Sequence, residues 1–257
     1  MIYLFGLVGS DSETAVARSL APVVGDTAPL VSPVRDDLFL VFAPHDGSDI
    51  LPRRRAMLHH ASVLEHAMHA GTVLPMQFGM LAASQDAVAQ RVAAKTTEVA
   101  AAIETLRGRV ELGVRLAAAE EDALDATLQS APAIRQMRDR LARSRRPGHF
   151  QVAEFGRVLG DALARRRAAE QRRATADLAP FADASVLKAP ESDAQVLRAE
   201  FLVKREASGQ FTAAVEAFCD QSKFTAAAPL QARIVGPGPA YNFLKLSLGD
   251  APDEVAA

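Results

Sequence analysis

Five of the six histidines lie between positions 45 and 69: His45, His59, His60, His66 and His69. On a helix, Glu65 and His69 stand four residues apart and His66 and His69 three apart, so either pair shares a face and could ligate a metal ion. A metal-dependent enzyme built on the His59–His69 helix is one reading of that pattern. No third ligand stands at a recognisable metal spacing, and the plainer reading is imidazoles that pack or hydrogen-bond on a helix. The second constellation runs from Arg135 to Arg173, with twelve arginines against four acids, Asp139, Glu154, Asp161 and Glu170. A helix-borne arginine band can track phosphates, which would make a nucleic-acid-binding module. It lacks interleaved aromatics for base stacking, and solvated helix faces or acidic protein partners account for it equally well. Cys219, beside Phe218, reads as a small buried apolar residue, since a nucleophile needs a base that the sequence does not place beside it. Gly236-Pro237-Gly238-Pro239 is glycine-rich, but its prolines remove the N–H donors that a phosphate cradle requires, so it reads as a turn. Arg53, Arg54 and Arg55 near a helix start oppose the helix dipole and are costly there unless solvated or paired with an acidic partner, which makes a case for a contact surface. No nucleophile–base set, phosphate loop or cysteine-based metal site is present.

The histidines sit on a helix expected over residues 50–70, with Asp49 as its cap and Pro52 in its first turn. Met57, Val63, Leu64, Ala67, Met68 and Ala70 form its apolar stripe, and Gly71 is suited to a left-handed C′ position. Thr72-Val73-Leu74 then reads as a strand that Pro75 confines to an edge, a bulge or a strand end. Ahead of this unit come an apolar strand at Ile2–Val8, buried on both faces, and a helix at Ser12–Leu20 capped by Ser12. Pro29–Val34 and Asp37–Ala43 pair as a hairpin. After it, Ser84 starts a second long helix with Val88, Val92, Val99, Ile103 and Leu106 inward, and Gly108 ends it before a strand at Val110–Leu116.

The second half is predicted to hold a helix from about Ala117 to Arg143 interrupted near Pro132, then a break at Arg145-Arg146-Pro147-Gly148. A helix from Phe150 to Leu178 follows, its second half polar nearly all round and either projecting into solvent or pairing loosely. Strands are expected at Ala184–Ala189 and Gln195–Arg205, the latter burying Leu197, Ala199, Phe201 and Val203. A helix at Phe211–Lys223 turns Phe211, Ala214, Val215 and Phe218 inward, and strands at Leu230–Val235 and Tyr241–Leu248 close the chain before a frayed tail. The fold class is α+β in two domains. An N-terminal ferredoxin-like α+β layer takes residues 1–118, and residues 119–257 form a domain of long helices with a smaller α+β layer.

A chain of 257 residues with a hydrophobic fraction of 49% can bury ample core, and a net charge of −2 gives no global drive toward nucleic acid or anionic lipid. A single cysteine excludes an intramolecular disulfide framework and suits a reducing compartment. The opening MIYLFGLVGSDS lacks a signal peptide's charge–apolar–cleavage pattern, and no apolar run approaches the roughly 20 residues of a membrane helix. The expectation is a soluble, intracellular protein.

Three landmarks carry a resemblance. His60-Ala61-Ser62-Val63-Leu64-Glu65 followed by Thr72-Val73-Leu74-Pro75-Met76-Gln77-Phe78-Gly79 resembles the signature of the gas vesicle GvpF/GvpL family. Arg109-Val110-Glu111-Leu112-Gly113-Val114 is similar to a strand of that family, and Gly236-Pro237-Gly238-Pro239-Ala240-Tyr241-Asn242-Phe243 to its ending. They stand in the family's order and span most of the chain. The chain departs from that ending at Gly238, where tryptophan is common, and at Ala240, where proline is common. The resemblance, closer to the F type than the L type, implies an accessory or minor structural protein of gas vesicle assembly. Such a protein binds the shell protein GvpA and limits its aggregation during nucleation, alongside other vesicle accessory proteins. It implies no catalysis, no cofactor, no metal, no nucleic acid and no membrane, with the protein in the cytoplasm before assembly and at the gas vesicle afterwards. The family-motif positions are His60, Glu65, Leu74, Pro75, Phe78, Gly79, Glu111, Gly236, Pro237, Tyr241 and Phe243. Two candidate edges for the partner follow: Leu74, Met76 and Phe78, and the Tyr241–Leu248 strand with Tyr241 and Phe243.

Overall fold

The computed structural model describes residues 1–25, 27–246 and 248. The chain divides into two compact units: residues 1–111 with 237–257, and residues 112–236.

The first unit opens with β1 (Ile2–Gly9), buried over nearly its whole length, and α1 (Glu13–Leu20), whose N-cap Ser12 accepts the Ala15 N–H at 3.2 Å. The hairpin β2 (Leu30–Arg35) and β3 (Leu38–Pro44) leads to α2 (Arg54–Ala67), β4 (Thr72–Pro75) and a short β5 (Leu81–Ala82). The sheet is antiparallel in the order β2-β3-β1-β4, with β5 also on β1. Two helices follow, α3 (Gln85–Ala94), capped by Ser84, and α4 (Thr96–Leu106). The single long helix expected here breaks at Lys95, yet all five of its predicted inward residues are buried.

Several expectations are corrected in this unit. α2 starts at Arg54 rather than Ile50, because a residue before proline is pushed out of the helical region; its N-cap is Arg53, without a side-chain bond. Met57 therefore falls in the first turn and is 48% exposed, outside the apolar stripe. Gly71 does not adopt a left-handed conformation. It is glycine for a different reason: a Cβ there would collide with the Gly9 carbonyl oxygen, just as one on Gly6 would stand 2.7 Å from the Leu74 oxygen. Both glycines let β1 and the approach to β4 come close.

β6 (Arg109–Ala117) leaves the first sheet, so the strand expected to complete it belongs to a second sheet, β7-β8-β6-β9. The chain divides at 111/112 rather than at 118/119, and its end returns to the first unit. In the second unit come α5 (Glu120–Ser130), α6 (Pro132–Arg143) and α7 (His149–Leu178), then β7 (Ala184–Leu187), β8 (Gln195–Lys204), α8 (Ser208–Gln221) and β9 (Gln231–Gly238). The core gathers Leu112, Val114 and Leu116 of β6 with Phe201, Phe211 and Phe218.

α7 is packed along both halves, contrary to the expectation that its polar half projects into solvent or pairs only loosely. Ala174 and Leu178 are fully buried, and the Arg166 and Arg173 guanidinium groups lie 5.2 and 4.7 Å from the centroids of the Phe224 and Phe218 rings. Long arginine stems cover apolar surface while their heads stack on aromatic faces, which a helical wheel records only as polarity. β8 is buried on both faces; even Glu200 is 5% exposed, held by Arg115 at 2.7 Å and Lys188 at 3.3 Å. The Gly236-Pro237-Gly238 segment extends β9 instead of turning, with Gly236 at φ +110°. Tyr241–Phe243 is a single 3-10 turn, and the described residues after it are not a strand. Ser247 and the tail from Gly249 lie outside the described residues.

Gly71→Ala is expected to lower stability by roughly 1–3 kcal/mol through overpacking. Gly160→Ala, in an exposed stretch of α7 with open space around it, should raise it by about 1 kcal/mol. Urea denaturation of the two variants checks both signs, and an unchanged midpoint for Gly71→Ala contradicts the close approach.

Candidate functional site

β1 carries one polar side chain in an otherwise apolar strand, that of Tyr3. α2 turns His60 inward with Val63, Leu64 and Ala67, the i, i+3, i+4, i+7 positions of one face. The two meet: the Tyr3 hydroxyl lies 2.7 Å from His60 Nδ1, and His60 Nε2 lies 3.1 Å from the Met76 carbonyl oxygen. The Gly79 N–H donates to the same tyrosine oxygen at 3.3 Å. One protonation pattern satisfies all three contacts. Nε2–H donates to the Met76 carbonyl, Nδ1 accepts from the Tyr3 O–H, and the phenolic oxygen accepts from Gly79. The imidazole is neutral in this arrangement, and burial, the leading cause, pushes its pKa down to about 4. Burial likewise pushes the Tyr3 phenol up to about 12.

Aromatic rings close around the imidazole: Phe5 at 5.5 Å, Phe78 at 5.8 Å and Tyr241 at 6.3 Å between centroids. Both tyrosines of the chain are thus in this cluster. Tyr241 is held by its neighbour, since the buried Glu111 carboxylate accepts from the Asn242 N–H at 2.8 Å and from its side-chain amide at 2.6 Å. Burial is again the first cause of a raised Tyr241 pKa, followed by the charges of Tyr3, Glu65 and Glu111.

The structure therefore brings together five of the motif positions, His60, Phe78, Gly79, Glu111 and Tyr241. Leu74 and Pro75 are buried in β4, Glu65 is exposed on α2 and Phe243 is half-buried. Gly236 and Pro237 lie in β9. Of the proposed partner contacts, Leu74 (0%) and Met76 (1%) are core side chains, whereas Phe78, Tyr241 and Phe243 are half-buried. Tyr3 and Asn242 went unread in the sequence. A lone hydroxyl in a fully apolar strand was the available signal for Tyr3, because a buried polar group requires a partner.

Beside this cluster a cavity of about 810 Å3 opens, bounded by Tyr3, Phe5, Phe78 and the α2 face that carries Arg54, Leu58 and His59. His59 Nε2 lies 3.1 Å from the Thr27 carbonyl oxygen, and its Nδ1 is buried with no partner among the described residues.

His66 and His69 turn to the backbone of α2, His66 Nδ1 facing the Ser62 carbonyl at 2.8 Å and His69 Nδ1 the His66 carbonyl at 3.1 Å, while His45 Nδ1 accepts the Gly47 N–H at 3.0 Å. Among the described residues, no three His, Cys, Asp or Glu side chains stand where they could share a metal. The arginine band is partly internal. Arg157 pairs with Glu154 and Asp161, Arg167 with Asp193, Arg173 with Glu170, and Arg166 donates to the Lys223 and Phe224 carbonyls. Cys219 is buried, and desolvation raises its thiol to about 11, away from nucleophilic character.

Because the folded pKa of His60 lies below its unfolded value, the unfolded chain binds the proton first as pH falls. Stability should drop between about pH 6.5 and pH 4, by roughly 3 kcal/mol in all, and be unaffected by this group above that window. Chemical denaturation of the wild type against His60→Gln isolates the effect; equal pH slopes would contradict it. Tyr3→Phe, which strands the imidazole acceptor, is expected to cost about 1–3 kcal/mol.

Among the described residues, no helix is long and apolar enough to cross a membrane. The family described as "Gas vesicle synthesis protein GvpL/GvpF" matches residues 1–245. Gas vesicle protein F of a Streptomyces strain is 29% identical over 203 residues, 77% of this chain and 80% of that protein. That of Dolichospermum flosaquae is 25% identical over 219 residues, 84% of this chain and 87% of its own length. The crystal structure of GvpF from Anabaena sp. PCC7120 superimposes with a TM-score of 0.79 at 24% identity, covering 96% of this chain and 98% of that one. GvpF from Microcystis aeruginosa gives 0.73 at 21% identity, covering 95% and 99%. With the ordered landmarks converging on one buried cluster and the match running over nearly the whole length, the chain belongs to the GvpL/GvpF family of gas vesicle synthesis proteins.

Proposed function

We propose that this protein is a non-catalytic, F-type accessory protein of gas vesicle assembly that binds the shell protein GvpA and limits its aggregation while vesicles nucleate. It acts from the cytoplasm and is associated with the gas vesicle. Family membership supports the accessory role. The observation that carries the binding role is the use made of the signature. Both His60 nitrogens, the Tyr3 hydroxyl and the Glu111 carboxylate are engaged in holding the first unit together. With His60 only 3% and Tyr3 9% exposed, these groups are shut among apolar rings, and we read the motif as a scaffold. We read the β1–β4 layer as ferredoxin-like, an architecture that offers an edge strand at β4.

For the contact itself, Phe78, Tyr241 and Phe243 present half-buried aromatic surface, while Leu74 and Met76 anchor the β4 backbone from the core. An aggregation-prone, apolar subunit is held by apolar surface or a free sheet edge, and this region supplies candidates for both.

Co-expression with GvpA is the test. The account expects GvpA to co-purify and its light scattering on dilution to fall in the presence of this protein. It expects Phe78→Asp with Phe243→Asp to weaken capture by about tenfold or more, roughly 1.4 kcal/mol. Normal buoyant vesicles in a strain cleanly deleted for this chain would contradict the assembly role.

A further inference from the structure

We infer that the outer face of α6, with the connector after it and the first turn of α7, is a docking surface for an acidic segment of a partner protein, one that brings carboxylates around a socket for Phe150. The basic band divides at this point. On α7, Arg157, Arg167 and Arg173 pair with carboxylates, and Arg166 fastens backbone carbonyls. From Arg135 to Arg146, by contrast, six arginines meet a single acid, Asp139, and all six are exposed. Arg138 holds Asp139 at 2.8 Å, and Arg140 reaches back to the Gln136 carbonyl at 3.4 Å. Arg135, Arg143, Arg145 and Arg146 have no ion pair among the described residues. The helix dipole accounts for Arg140 and Arg143 in the last turn of α6. It gives no reason for Arg135 and Arg138 nearer the start, or for Arg145 and Arg146 beyond the end. Arg135 with Arg138, and Arg140 with Arg143, are moreover like charges one turn apart, which the free helix bears at a cost.

The apolar part of the surface adjoins the charge. Phe150, four residues beyond Arg146, is 82% exposed, and Val152 is 49% exposed. Aromatic and arginine side chains together are the composition of a protein–protein contact, with the ring as anchor and the charges as rim. The apolar side of α6 is already used. Ile134 packs in one cluster with Phe155, Val158 and Leu159 of α7, and Met137 and Leu141, on the same side as Ile134, are half-buried. α6 therefore has no apolar face to lay on a bilayer, as an interfacial helix requires. Nor does the row suit a phosphate backbone. Asp139 stands one turn from both Arg135 and Arg143, in the middle of the outer face, where a polymer of a single charge sign would meet a carboxylate. A protein segment can set its own carboxylates to either side of Asp139, and each arginine fork can take one bidentately.

The surface belongs to the second unit and goes beyond the proposed GvpA contact, so the two can fail separately. Fluorescence anisotropy on the full chain compares two labelled peptides of one composition, leucine, glutamate and alanine. One is a helix with a leucine stripe flanked by glutamate rows, and the other has the same residues scrambled. The surface predicts binding of the patterned peptide at least about tenfold tighter than of the scrambled one. Arg145→Glu with Arg146→Glu, and separately Phe150→Ala, should each weaken it by about tenfold while the thermal midpoint holds. Arg165→Glu with Arg172→Glu, the same change of charge at exposed positions further along α7, should leave it within about twofold. Equal or absent binding of the two peptides, an unaffected Phe150→Ala, or equal losses from the two arginine pairs would overturn the proposal. So would tighter binding, through Arg145 and Arg146, of phosphatidylglycerol vesicles or of a short single-stranded oligonucleotide than of the peptide. If the patterned peptide binds while GvpA fails to co-purify, the surface stands and the assembly reading falls. If GvpA is captured by a chain that ignores the peptide, the assembly reading stands and the surface falls.

Discussion

A neutral imidazole held between a phenol and a carbonyl in an apolar interior is the constraint on which the first unit depends. His60 can occupy that position only if both ring nitrogens are satisfied, since an unpaired polar group there costs about 1–3 kcal/mol. Satisfying them fixes three things at once: the strand register that brings Tyr3 to the spot, the rotation of α2, and the path of the chain from Met76 to Gly79. The aromatic ring of Tyr241 then has a surface to pack on, and Glu111 secures it through Asn242. Sequence segments far apart in the chain are thereby tied to one imidazole.

The second unit follows the same rule with charges. Glu200 is nearly buried and lies over Gly113, where a Cβ would collide with its carboxylate. Arg115 and Lys188 compensate it. Such a site adds little net stability, but loss of both cations would leave an uncompensated buried charge. At the start of α5, the Asp122 carboxylate accepts the N–H groups of Ala226, Ala227 and Ala228 at 2.9–3.1 Å, and those bonds hold its pKa below the usual carboxylate range. Arg166 bonds Thr127 and the carbonyls after α8, so part of the basic band is internal fastening. Its charge is therefore a poor measure of any nucleic-acid surface.

Periodicity made most helices and strands readable, including Ser12 as a cap, the helix start at Ser84 and the five inward residues of α3 and α4. What escaped notice depends on contacts distant in sequence. Gly71 looked like a helix cap because its close approach to Gly9 is invisible locally. The polar half of α7 looked solvated because stacking of Arg166 and Arg173 on phenylalanines leaves no periodic trace. Tyr241–Leu248 looked like a strand from its apolar content, whereas the Asn242–Glu111 contact holds its start as a 3-10 turn. β6 could not be assigned to a sheet from its own residues. Of the site, the motif positions were legible by resemblance, but their convergence on Tyr3 was not.

Nitrogen-15 NMR of the His60 ring tests the central claim most directly, because tautomer and protonation state are read on the atoms concerned. The account predicts a neutral ring protonated on Nε2 that keeps this signature as pH is lowered through the ordinary histidine range. A ring that titrates near pH 6.5, or one protonated on Nδ1, would contradict it.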